Sequence, residues 1–119
     1  MINGLVGTII WTSNFESMTE FYRNVMEFPV HSVRPDFVVF EWGKFRFNIG
    51  THDRVVGKTK EPERLMLNLD TSDIHNTYEL LKQRGVIFIR PPEQEHWGGW
   101  VATFHDVDGN ILQLLEQPA

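Results

Sequence analysis

The stretch Leu67 to Val86, LNLDTSDIHNTYELLKQRGV, reads as strand, helix cap, helix and next strand. Ile9 to Phe28 echoes it at a constant offset of 59 residues, position 12 falling on position 71. Thr12-Ser13-Asn14-Phe15 lies over Thr71-Ser72-Asp73-Ile74, Glu20 over Glu79, Phe21-Tyr22 over Leu80-Leu81, and Arg23 over Lys82. A period of about half the chain points to two copies of one module, not to one continuous fold or a many-repeat solenoid.

With 119 residues the chain is long enough for one compact domain and too short for two independent ones, so the modules are expected to share a core. The expected domain spans 1–119, with modules 1–52 and 64–119 joined by a polar linker, 53–63, that carries the breakers Gly57 and Pro62. Hydrophobic residues at 41% and charged residues at 23% fit an ordinary soluble globular protein. A net charge of −5, without clustered Lys and Arg, argues against a nucleic-acid partner. The lack of cysteine removes disulfides, thiolate catalysis and zinc–thiolate sites, and fits a cytoplasmic setting. No long apolar run suggests a membrane span, and the opening MINGLVGTIIWTSN reads as a first strand and not as a signal peptide.

The first module opens with a strand from Leu5 to Thr12. Ser13 and Glu16 have the spacing of a capping box, each side chain satisfying an orphan N–H. The helix that follows should bury Phe15, Met18, Tyr22 and Val25 and end before Pro29. Val30 to Val33, Asp36 to Trp42 and Phe45 to Gly50 read as strands, the last two joined by a hairpin turn at Gly43-Lys44. The second module repeats the order. It has a strand from Leu65 to Asp70, a cap at Ser72 or Asp73, a helix to Arg84, and Gly85 as its stop. Val86 to Ile89 is a short strand, and Pro91-Pro92 should open a loop running through Trp97-Gly98-Gly99. Trp100 to His105 and Ile111 to Glu116 are strands around the turn Asp106-Val107-Asp108-Gly109-Asn110. Each half is therefore βαβββ, an α+β arrangement in which two modules would form a curved mixed sheet around a central cleft.

Several runs carry a family resemblance: Trp11-Thr12-Ser13-Asn14-Phe15, Phe21-Tyr22-Arg23, Asp73-Ile74, Leu81-Lys82-Gln83-Arg84-Gly85-Val86, Trp97-Gly98-Gly99 and Asp106-Val107-Asp108-Gly109-Asn110-Ile111. Together they resemble the vicinal oxygen chelate superfamily, which holds glyoxalase I, extradiol dioxygenases, fosfomycin-modifying enzymes and bleomycin-resistance proteins. Two small departures are Glu27, where the family usually has Gly after the first helix, and Val107, where it has Pro.

The resemblance implies a metal held by His or Glu from four strands. Carried over residue by residue, those ligand positions fall on Gly7, Asn48, Met66 and Gln113. Gly supplies no donor, and neutral amides and a thioether are weak ligands for Zn²⁺, Ni²⁺ or Fe²⁺, so no metal or other cofactor is expected. The histidines, His31, His52, His75, His96 and His105, lack an H-x-H or helical H-x-x-x-H spacing. The resemblance also places inward the strand neighbours of the ligand positions: Gly7, Ile9, Trp11, Arg46, Asn48, Met66, Asn68, Asp70, Ile111, Gln113 and Leu115. Trp11, Arg46, Asn48, Asn68, Trp97, Trp100 and Gln113 are the candidate ligand-binding residues; Arg46 would read a carboxylate or phosphate, or else pair with Glu41 or Asp70. No serine is arranged with a base, and Asp106 and Asp108 read as turn formers, so no catalytic residue is assigned. The expected function is a metal-free, bleomycin-resistance-like protein that binds a small organic molecule, as a homodimer. The alternative is a glyoxalase- or dioxygenase-like enzyme with a shifted metal site drawing on His96, His105 or Glu41.

Overall fold

The first half of the chain runs β1 (Gly7–Thr12), α1 (Phe15–Glu20), β2 (Val30–Arg34), β3 (Phe37–Trp42) and β4 (Phe45–Thr51). The second repeats that order as β5 (Met66–Asp70), α2 (Ile74–Gln83), β6 (Phe88–Gln94), β7 (Trp100–His105) and β8 (Ile111–Glu116), after a short 3₁₀ turn at Pro62–Arg64. This is a computed structural model describing residues 1–119, and its contacts divide the chain into two compact units, Met1–Gly57 and Lys58–Ala119. Each unit holds one four-stranded sheet, ordered β1-β4-β3-β2 in the first and β5-β8-β7-β6 in the second. In both, the outer strand that opens the module runs parallel to the strand that closes it, and the remaining pairings are antiparallel. The fold is thus α+β, built of two βαβββ modules.

Strand alternation divides each sheet into a face under its helix and a face without one. Under α1 lie Val38, Phe40, Phe47 and Ile49, all buried with Met18 and Tyr22 of the helical segment. The Tyr22 ring centroid stands 4.8 Å from that of Phe47. In the second unit Ala102, Phe104, Leu112 and Leu114 meet Ile74 and Leu81, and Phe88 bridges Tyr78 and Phe104 at 4.6 and 5.1 Å. Each such burial contributes about 1.5–3 kcal/mol before chain entropy is set against it.

The two helical segments are closed differently. At α2 the Asp73 carboxylate accepts the Asn76 N–H at 3.1 Å, a side-chain N-cap. At α1 the expected capping box does not form. Asn14 is the N-cap residue with no side-chain cap bond, and the Ser13 hydroxyl instead accepts the Gly57 N–H at 2.8 Å. After Gln83 the chain stops in a Schellman motif: Val86 N–H donates to Leu81 and Gly85 N–H to Lys82, with Gly85 left-handed at φ +93°. The first helix instead passes into a π-helical stretch, Phe21–Val25, and Phe28 N–H reaches back to Tyr22. Glu27, at φ +56°, takes the place that Gly85 holds in the second unit. These two positions are 58 residues apart, one fewer than the repeat offset, because the wide turn has absorbed one extra residue.

A second difference from expectation lies in β6, which continues through Pro91 and Pro92 to Gln94 instead of giving way to a loop at Ile89. Two features permit this. The strand is at the sheet edge, where a missing N–H costs no ladder bond, and its register with β7 shifts between Arg90 and Glu93. No helix is long and apolar enough to cross a membrane.

Candidate functional site

The helix-free face of the first sheet carries three cross-strand rows. At one end, β1 and β3 flank β4 so that Trp11, Gly50 and Phe37 stand in register. The Trp11 and Phe37 ring centroids are 6.2 Å apart, and the His52 ring meets Trp11 edge-on at 5.3 Å. The middle row is Ile9, Asn48 and Val39, with the Asn48 amide donating to the Thr8 carbonyl at 3.3 Å. At the far end stand Gly7, Arg46 and Glu41. Arg46 Nε donates to Glu41 Oε2 at 2.7 Å, and Arg46 Nη2 lies 3.2 Å from His31 Nε2. Trp11, Arg46 and Asn48, singled out from sequence, therefore share one face. Phe37, Gly50 and His31 join them there, and sequence reasoning passed over all three. Alternation along β4 from Asn48 and the antiparallel register of β4 with β3 would have found Gly50 and Phe37; the bulge between Val30 and Ser32 leaves no simple period for His31.

On the second sheet, Asn68 and Gln113 are register partners on the helix-free face, between Met66–Ile111 on one side and Asp70–Leu115 on the other. Gln113 Nε2 lies 3.5 Å from Met66 Sδ. At the edge of this face Arg90 pairs with Glu93 and, at 2.7 Å, with Glu95. Hydrogen bonds donated to Glu93 first and Glu95 second hold its pKa above the ordinary arginine value. The remaining two candidates stand apart. Trp100 is on the opposite, helix-covered face, its ring centroid 4.8 Å from that of His75 on α2. Trp97 lies flat on its own loop: a Cβ placed on Gly99 would fall 1.9 Å from Trp97 Cζ3. Trp100 is thus separated from Asn68 and Gln113 by the thickness of the sheet.

The four positions the resemblance assigns to a metal do not fit one. At Gly7 the obstacle is the backbone itself, since an added Cβ would stand 2.3 Å from the Arg46 carbonyl oxygen, so no side chain of any kind has room there. Asn48 spends its amide on Thr8, and Met66 and Gln113 offer a thioether and an amide. No group of three or more His, Asp or Glu side chains is placed to hold an ion elsewhere. His96 lies in the β6–β7 loop and His105 at the end of β7, both exposed, while Glu41 is committed to Arg46.

Two further features resolve into structure. Asp106, 5% exposed, accepts the N–H groups of Asp108 and Asn110 on one carboxylate oxygen and the Asn110 amide on both, as a turn former. A surface depression of about 350 Å³ runs along the outer side of α1, lined by Phe15, Glu16, Thr19, Glu20, Arg23 and Asn24, and shares no residue with either helix-free face.

Residues 5–117 match the family described as Glyoxalase-like domain. YetH of Bacillus subtilis (strain 168), itself uncharacterized, is 35% identical over 65 residues, which are 55% of this chain and 53% of YetH. The chain thus spans about half the length of that curated relative. A member of the glyoxalase/bleomycin resistance protein/dioxygenase superfamily from Sphaerobacter thermophilus superposes with a TM-score of 0.73 at 28% identity, covering 98% of each chain. A glyoxalase/bleomycin resistance protein/dioxygenase from Nocardioides gives 0.77 at 19% identity, over 99% of this chain and 85% of the other, and shares the fold.

Proposed function

The chain belongs to the glyoxalase-like domain family, and from that membership we propose that it binds a small organic molecule without the metal its wider superfamily uses. The observation that carries this reading is the closure of the first ligand position: Gly7 abuts the Arg46 carbonyl, and the other three positions hold Asn48, Met66 and Gln113. A divalent first-row ion prefers imidazole and carboxylate over such donors by a wide margin. What remains on the helix-free faces is a mixture of aromatic, aliphatic and amide side chains, the usual lining of an organic-ligand site. In this reading the two βαβββ modules act as one domain, the ligand is held and not turned over, and the protein works as a cytoplasmic homodimer of the bleomycin-resistance-like kind.

Two measurements on purified, untagged protein test it together. Elemental analysis should find less than a tenth of an equivalent of Ni, Zn, Mn or Fe, and chelator should leave the melting temperature unchanged. A panel of antibiotics, amino acids and aromatic and aliphatic acids should contain at least one compound that raises the melting temperature with concentration. One equivalent of tightly held metal, lost together with stability on chelation, would instead favour an enzyme with a relocated ion. A flat response across the whole panel would remove the ligand-binding reading.

A further inference from the structure

Resting on that reading, the geometry of the first sheet points to the class of ligand: an aromatic carboxylate laid along β4, its ring against Trp11 and Phe37 and its acid group on Arg46.

The three rows described above have unequal height. The end row is tall and aromatic because Gly50, having no side chain, lets the Trp11 and Phe37 rings close over it; an added Cβ would come within 2.9 Å and 2.6 Å of them. Trp11 remains 39% exposed, so its outer surface is open to a partner ring. The middle row is low, with two aliphatic side chains and an amide folded back on Thr8. The other end is tall again and charged. Arg46 is fixed there at two of its three nitrogens, Nε by Glu41 and Nη2 by His31, which leaves Nη1 for an incoming oxygen. Arg46 and Gly50 are four residues apart on one strand, about 13 Å between backbone positions at the usual rise, so a ligand reaching both ends needs its acid group on a short chain and not directly on the ring. The low middle row supplies the floor.

Aromatic contact and an arginine hydrogen bond reward different parts of the ligand, so they are separable by choosing the probe. The chain carries a net charge of −5, so no general attraction for anions contributes, and a preference for an acid over its amide reports a local cation.

The test is calorimetric titration with three probes: indole-3-propionate, its primary amide, and octanoate. Indole-3-propionate should bind at least tenfold more tightly than either of the others. Arg46→Met should abolish the preference for acid over amide while leaving the weaker amide binding in place, and Phe37→Leu should weaken the two indoles by a larger factor than octanoate. The circular dichroism and melting curve of each variant show that it is folded. If the panel used for the general reading contains binders but the acid and amide bind equally, or Arg46→Met keeps the preference, the assignment of ligand class is wrong and the general reading stands. If no compound of any class binds, both fall.

Discussion

Gly50 lies beneath the Phe37 ring, so close that a Cβ on it would stand 2.6 Å from Phe37 Cδ2 and 2.9 Å from Trp11 Cζ3. Gly50 is buried, with Ile49 beside it packed under α1, so the strand has little freedom to retreat. Gly50→Ala should therefore force both rings aside and cost about 1–3 kcal/mol, as overpacking does. Urea denaturation followed by far-ultraviolet dichroism measures the loss. An unchanged midpoint would mean that the rings do not close over this position.

Asp106 and Asn110 form a compact polar knot in the second unit. The Asp106 carboxylate accepts the Asp108 N–H at 2.9 Å and the Asn110 N–H at 3.0 Å, and its other oxygen accepts the Asn110 amide at 3.0 Å. Removing it leaves donors in a buried turn without a partner. Asp106→Ala should destabilise by about 2–4 kcal/mol, and Asp106→Asn, which keeps one acceptor, by less. The order of the two midpoints is the check. Equal losses would show that packing at the turn, and not the hydrogen bonds, sets the cost.

How far the sequence spoke depended on the range of the interaction involved. The two-module order, the DVDGN turn, a helix cap at Ser72 or Asp73 and the Gly85 stop were all legible because each rests on a local pattern of a few residues. The metal positions were legible as chemistry, Gly7, Asn48, Met66 and Gln113 being poor donors in any fold. What was hidden depended on partners distant in sequence. Ser13 has the spacing of a capping box, yet Gly57, 44 residues away, takes its hydroxyl. Pro91-Pro92 reads as a strand breaker, and only the position of β6 at an edge makes it tolerable. Trp100 was grouped with Gln113 as a candidate ligand contact, whereas parity along β7 turns it to the face under α2. Arg46 was legible as a charged group with Glu41 as a possible partner, but His31 arrives on β2 through a bulge that no period in the sequence announces.

The contrast at the two helix starts gives a paired prediction. Asp73 caps α2 through its side chain, whereas Ser13 binds an exposed N–H across a loop. Asp73→Ala should cost about 1 kcal/mol, the usual loss of an N-cap. Ser13→Ala should cost no more than about 0.5 kcal/mol, as for a surface hydrogen bond away from a buried feature. Thermal denaturation of both variants beside the parent tests this; a larger loss at Ser13 would mean that the Gly57 contact stabilises more than the helix cap does.

The first helical segment carries one residue more than the second before the chain reverses. Glu27 sits at φ +56°, a conformation that disfavours residues bearing a Cβ, at the place where the second unit has Gly85. The π-helical stretch before it fixes this geometry, since Met26 N–H bonds to Phe21 and Phe28 N–H to Tyr22, holding the chain on either side of Glu27. Relief of the strain by Gly is offset in part by the greater freedom Gly gives the unfolded chain, so Glu27→Gly should stabilise by a net of about 0.5 kcal/mol. Glu27→Val, branched at Cβ, should destabilise by about 1–2 kcal/mol from the same cause. Melting temperatures of the three proteins should therefore rank Gly above Glu above Val. A reversal of Gly and Glu would show that the Glu27 side chain contributes more through its own contacts than its backbone loses to strain.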